Sequence, residues 1–223
     1  MLKNFNNNFL SKEIVLLFLL YLTLLTSFFL GENSTGGATN DYLRQKHISL
    51  AFSIEFFESL IKYNEFSTRH SPVLIIFLSL FERLDFNDFF LRLTHLHLCL
   101  FLPFFFYQSL KIKFKNCENK ILLILTSLIF ISPTFRSLAI WPDSRILGLT
   151  FFTIGIFFFL KFENEKKFKF VINNIFFVAI SAYFSPNFSI FSLFFFLRFI
   201  EFYKVISKKI LLVSILNLLL SLP

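Results

Sequence analysis

Long apolar blocks without charge, separated by short lysine-rich stretches, constrain this 223-residue chain more than any motif in it. A soluble domain carries about 25% charged residues spread over its surface. Here the charged share is 16%, the hydrophobic share is 56%, and phenylalanine alone fills 39 positions. Such blocks bury themselves in lipid, which excludes a soluble enzyme, a disordered chain and a disulfide scaffold. They predict an all-α polytopic membrane protein whose spans pack as one domain. The net charge of +8 would suit a nucleic-acid binder if it lay on a soluble face. It lies between the apolar blocks instead, where orientation in the bilayer explains it, and no nucleic-acid partner is expected. Cys99 falls in a block and Cys117 in a lysine-rich loop, so no disulfide is expected between them.

The first block, residues 14–30, follows Lys3 and Lys12 and lacks a small-x-small cleavage pattern. It reads as an uncleaved first span with its N-terminus in the cytosol. A polar loop with two adjacent glycines, residues 32–41, comes next. Between Leu43 and Tyr63 the apolar positions Ile48, Phe52, Phe56 and Leu60 recur at helical spacing among too many charges to span, which predicts a helix lying on the membrane surface. The run Val73 to Leu80 is too short to cross ~30 Å of hydrocarbon and reads as a partly inserted or re-entrant helix. Residues 31–88 thus form an external loop with juxtamembrane helices. Further spans are expected at about 89–110, 121–140, 146–160, 170–184, 188–202 and 210–223, making about seven. Leaving the short run out of that count places 13 of the 15 lysines on the cytosolic side, as the positive-inside rule asks. The short last block, without a polar flank, reads as the cut end of a longer protein or as an unusually short last span, the first being preferred.

Polar groups on the outer side gather in two places. The first loop carries Glu32, Asp41, Arg44, His47, Glu65, Arg69 and His70. The second runs from Ser132-Pro133-Thr134-Phe135-Arg136 to Trp141-Pro142-Asp143-Ser144-Arg145. Ionisable groups at a span boundary are costly unless solvated, paired or functional. An uncleaved first span, a Gly-Gly loop with Asp41, a surface helix, a His70-Ser71-Pro72-Val73 step and a Ser132-Pro133…Arg136…Asp143 loop follow one another. This order resembles the N-terminal half of the GT-C glycosyltransferase superfamily, in the bacterial branch related to protein mannosyltransferases and aminoarabinose transferases. The resemblance covers roughly residues 10–160 and departs from the branch by one missing proline after His70.

It implies an enzyme of the bacterial cytoplasmic membrane that moves a sugar from a polyprenyl-phosphate donor to a lipid, glycan or protein acceptor on the periplasmic side. Asp41 would be the catalytic base. Arg136, Arg145, Arg69 and His70 would hold the donor phosphate. Asp143 would be a second acid or, with Asp41, a ligand for a divalent cation such as Mg or Mn.

Plainer readings stand beside these. Asp41 suits an N-cap of the surface helix, Arg136 and Asp143 suit a structural ion pair, Arg145 suits an interface anchor, and His70 suits a helix start. His95 and His97, two apart, face different sides of a helix and do not make a metal pair. Asn173 and Asn174 suit pairing between spans, and the Phe runs 157–159 and 194–196 suit lipid contact. The rival functions are a transporter or flippase of lipid-linked saccharides and an inactive truncated membrane protein. No nucleotide-binding glycine motif or zinc-protease motif is present in the sequence.

Overall fold

The structure, a computed structural model, describes residues 7–34, 36–68, 71–203, 208, 211–212 and 215. The described residues are all-helical, without a strand. Helix α1 (Asn7–Leu30) is followed by α2 (Ala38–Ile54), α3 (Phe56–Ile61), α4 (Val73–Arg83), α5 (Asp88–Cys99), α6 (Phe101–Lys113), α7 (Asn119–Ile131), α8 (Pro133–Ile140), α9 (Ser144–Glu165), α10 (Phe168–Phe184) and α11 (Ile190–Tyr203).

Every apolar block that falls in the described residues is helical, but the helices do not all have spanning length. Two are long and apolar enough to cross a membrane: α5 continued by α6, 26 residues from Asp88 to Lys113, and α9, 22 residues. A third is added if α7 and α8 count as one span bent by 63°. The remaining apolar stretches are shorter, with 17 residues in α10 and 14 in α11. The block at 210–223 lies almost wholly outside the described residues.

The block at 121–140 is therefore not one straight helix. Pro133 has no N–H to continue the ladder, and Ser132 takes extended angles (φ −62°, ψ 118°) and caps α8 by accepting the Phe135 N–H at 3.3 Å. Pro103 acts more gently: it cannot donate back to Cys99, and only Leu100 separates α5 from α6.

The long helices α5–α6 and α9 run parallel, with α7–α8 returning between them. His95 meets Asp143 near their starts, Phe105 meets Phe157 midway (ring centroids 5.2 Å), and Lys115 bonds Asn164 near their ends (3.0 Å). The bundle accordingly has one end rich in lysines and, at a remove of ~30 Å for a helix like α9, an opposite end carrying the acids and arginines of the two polar loops.

α10 packs antiparallel on α9. Asn174 Nδ2 donates to the Gly155 carbonyl and Ser181 Oγ to the Gly148 carbonyl, each at 2.8 Å and two turns apart on both helices. The glycines permit the close approach: a Cβ on Gly155 would stand 2.8 Å from a Val178 methyl. Asn174 thus pairs between helices, as its place at a span start suggested. The Phe runs are divided rather than lipid-facing throughout, since Phe159 and Phe195 are buried against each other at 5.0 Å while Phe194 is exposed.

The amphipathic stretch also differs from a single surface helix. Glu55 leaves helical geometry (φ −129°, ψ 72°), ending α2 at Ile54 and splitting the Ile48–Phe52–Phe56–Leu60 stripe. Ile48 and Phe52 are buried against Ile75 of α4, while Leu60 is exposed. The apolar character of α4 is accounted for in part by this packing: Leu74, Ile75 and Leu78 are buried. On the face of α2 opposite its buried one, Leu43, Leu50 and Ile54 stand exposed.

Candidate functional site

The end of the bundle opposite the lysines collects the charged residues of both loops around Trp141. Helix α1 stops in a Schellman turn: Gly31 adopts φ +63°, its N–H reaches the Phe28 carbonyl at 3.2 Å, and Glu32 N–H reaches Ser27 at 3.0 Å. That turn delivers Glu32 to the bent helix α8. Arg136 grips its carboxylate with two bonds, Nε to Oε2 at 2.8 Å and Nη2 to Oε1 at 2.9 Å. Arg136 Nη1 donates to the Ile131 carbonyl at 2.8 Å and to Phe130 at 3.3 Å. These are α7 carbonyls that the bend at Pro133 deprives of their usual partners. The Arg136 guanidinium beside Glu32 holds that carboxyl down at about 2. Trp141 Nε1 donates to the Glu32 carbonyl at 3.0 Å, closing the junction.

Asp143 is the N-cap of α9, accepting the Arg145 backbone N–H at 2.7 Å. The Arg145 side chain folds back on the same carboxylate, with Nε at 3.0 and 3.1 Å and Nη2 at 2.7 Å. The same Nη2 reaches Asp41 Oδ2 of α2 at 3.1 Å. One guanidinium therefore joins the two acids singled out from the sequence, under unequal conditions: the Asp143 side chain is 3% exposed and that of Asp41 52%.

Helix α2 begins at Ala38, so Asp41 stands one turn inside it and is not its N-cap. The pairing suggested between Arg136 and Asp143 is replaced by two separate pairs, Arg136–Glu32 and Arg145–Asp143. Arg69 and His70 lie outside the described residues.

The turn carrying Asp143 is held from below by His95, which is fully buried on α5. Its Nδ1 lies 2.9 Å from the Ala139 carbonyl and its Nε2 accepts the Asp143 N–H at 3.4 Å. A carbonyl only accepts and an amide N–H only donates, so this pair of partners selects the neutral tautomer protonated at Nδ1. His97, on another face, meets the Tyr21 hydroxyl at 3.0 Å.

A second cluster went unmarked at the sequence level. Arg92 lies over the Trp141 ring at 3.6 Å and over Phe28 at 4.9 Å, and its Nε donates to the Ile140 carbonyl at 3.0 Å. Asp88 receives the Tyr42 hydroxyl and, at 2.8 Å, the Lys46 ammonium. Burial together with Asp88 pushes the Tyr42 phenol up. The available signal was Arg92 itself, a charge inside an apolar block.

Beside this end a groove of about 750 Å³ opens between α6, the α7–α8 bend and α9. Arg145 lines its outer mouth and Lys113 its far end; between them the walls are almost wholly apolar, with Leu102, Phe106, Leu138 and Leu149 among them.

A divalent cation does not fit the pair of acids. Such an ion takes about six oxygen ligands, whereas Asp41 and Asp143 are both engaged by Arg145, and the described residues hold no group of three His, Cys, Asp or Glu side chains able to share a metal. Comparison with protein-family models, curated proteins and solved structures finds no match.

Proposed function

We propose that this chain is a multi-pass glycosyltransferase of the GT-C kind, with about seven spans and a cytosolic N-terminus in a bacterial cytoplasmic membrane. It transfers a sugar from a polyprenyl-phosphate donor to a lipid, glycan or protein acceptor on the periplasmic side. One observation carries the reading: Arg145 bridges a half-exposed carboxylate, Asp41, and a buried one, Asp143, at the mouth of a long apolar groove.

The unequal pairing suits the chemistry. Asp143 holds the guanidinium in place. The contact with solvent-exposed Asp41 is worth only ~0.2–1 kcal/mol, so Arg145 exchanges it cheaply for an incoming phosphate. Asp41, released, takes the proton of the acceptor hydroxyl while that oxygen bonds to the anomeric carbon. The bond from that carbon to the phosphate oxygen breaks, the electron pair leaves with the phosphate, and Arg145 offsets its charge. The carrier tail lies in the groove. Arg136, with its three nitrogens already engaged by Glu32 and two carbonyls, serves better as a brace of the α7–α8 bend than as a phosphate ligand.

The test is Asp41→Asn in the full protein, assayed for transfer from a polyprenyl-phosphate sugar. A drop of ~10²–10⁴-fold is expected with insertion unchanged; wild-type rates in the variant would remove Asp41 as the base. A transporter or flippase of lipid-linked saccharides is the second reading, favoured by the cation at each end of the groove. It predicts movement of labelled lipid between leaflets without turnover.

A further inference from the structure

The lysine-rich end carries a second groove and a cation that transfer chemistry does not use. On α9 the side chains of Phe152, Ile156 and Leu160, spaced one turn apart, form a ridge. The groove of about 750 Å³ lies on its α6–α8 side, and a second, of about 850 Å³, on its α11 side against Ile190, Phe191 and Phe194. Phe152, Ile156 and Leu160 line both grooves, and so does one cation, Lys113.

Lys113 is exposed and has no hydrogen bond or ion pair among the described residues. One turn before it, Ser109 lines the first groove at 6% exposure, and its Oγ is buried without a partner. The acid that lines the second groove, Glu163, is engaged by Arg198 at 3.5 Å.

We propose that this foot binds the headgroup of a two-chained anionic phospholipid, Lys113 taking the phosphate and Ser109 donating to a headgroup or ester oxygen, with one acyl chain on each side of the ridge. Charge complementarity selects the headgroup: Lys113 is the cation common to both grooves, and no ion pair engages it among the described residues. Two grooves meeting at one cation select two chains over the single chain of a polyprenyl phosphate. The inference does not rest on sugar transfer, although a carrier tail entering from Arg145 and an acyl chain entering from Lys113 compete for the same branch.

The experiment is native mass spectrometry of the full chain from mixed micelles holding phosphatidylglycerol and phosphatidylcholine of identical chains. One phosphatidylglycerol is expected to be retained, with about fivefold preference, the ~1 kcal/mol that one lysine contributes near a lipid phosphate. Lys113→Gln, at an exposed position, should bring the preference to parity, and Ser109→Ala should lower it in part. Arg145→Gln should leave it unchanged, and one-chained lysophosphatidylglycerol should be retained less. Undiminished preference in Lys113→Gln, an equal loss in Arg145→Gln, or equal retention of the one-chained lipid would each overturn the proposal.

Discussion

Replacing Arg145 by Gln removes one guanidinium from two carboxylates and so weighs their environments against each other. Asp143 is left 3% exposed with its backbone cap bond as the main compensation. Removing one partner of a fully buried pair costs ~3–5 kcal/mol. Arg145 is itself half exposed and the cap bond survives, so ~2–3 kcal/mol is the better figure. Asp41→Asn breaks only the single 3.1 Å contact at a carboxylate 52% exposed, which amounts to ~0.2–1 kcal/mol. Asp143→Asn keeps a competent N-cap and should cost less than Arg145→Gln. In the double variant Arg145→Gln/Asp143→Asn no buried charge is stranded, and the cycle should return ~1–2 kcal/mol of coupling. Unfolding by SDS titration can be followed through Trp141, the one tryptophan of the chain and a neighbour of this junction. Coupling under ~0.5 kcal/mol, or a cost for Asp41→Asn equal to that of Arg145→Gln, would refute the reasoning. Asp41 would then be a structural anchor, and the exchange of Arg145 to a phosphate would lose its basis.

Three further outcomes are expected. The folded-state pKa of Glu32 is depressed, so its contribution is fully present above about pH 4.5 and is lost as pH falls toward about 2; Glu32→Gln should flatten stability over that window, measured by the same titration at stepped pH. Gly155→Ala puts a Cβ 2.8 Å from a Val178 methyl and should destabilise by ~1–3 kcal/mol, with recovery in Gly155→Ala/Val178→Ala; an additive loss in the double variant would contradict close packing of α9 on α10. In intact cells, an impermeant thiol reagent should label a cysteine placed at exposed Asn40 in a Cys117→Ser background and should fail to reach Cys117 in the native chain. Labelling of Cys117 from outside would overturn the assignment of the lysine-rich end to the cytosol.

Much of the helical arrangement was legible because it follows from local chemistry. Apolar blocks became helices, and most of the described lysines stand together because they sit between blocks that return to the same end. The helix-breaking geometry at Glu55 was not legible, since glutamate is an ordinary helix residue; the stripe through Ile48 and Phe52 continued in pattern where the backbone did not. The number of spanning helices was less legible for a related reason: two described helices, or three with the bent α7–α8 pair, have spanning length, while hydrophobicity marks where lipid or core is preferred, and α4 shows that a short apolar helix is satisfied in part by another helix.

The candidate site divides along the same line. Its residue types could be read in order: acids and arginines in two loops, on the side that holds only two of the 15 lysines. Which acid meets which arginine could not, because Glu32–Arg136 and Asp41–Arg145 each join residues 104 positions apart. The sequence neighbours Arg136 and Asp143 looked like partners until the 63° bend carried Arg136 toward the end of α1. Arg92 and His95 drew no notice as supports, for what they support is the backbone at Ile140, Ala139 and Asp143, and main-chain carbonyls and amides leave no trace in the letters. Local composition dictated helices, their ends and the separation of charge, since each depends on residues a few positions apart. The pairing of charges and the two grooves came from packing alone, because they depend on where distant helices cross.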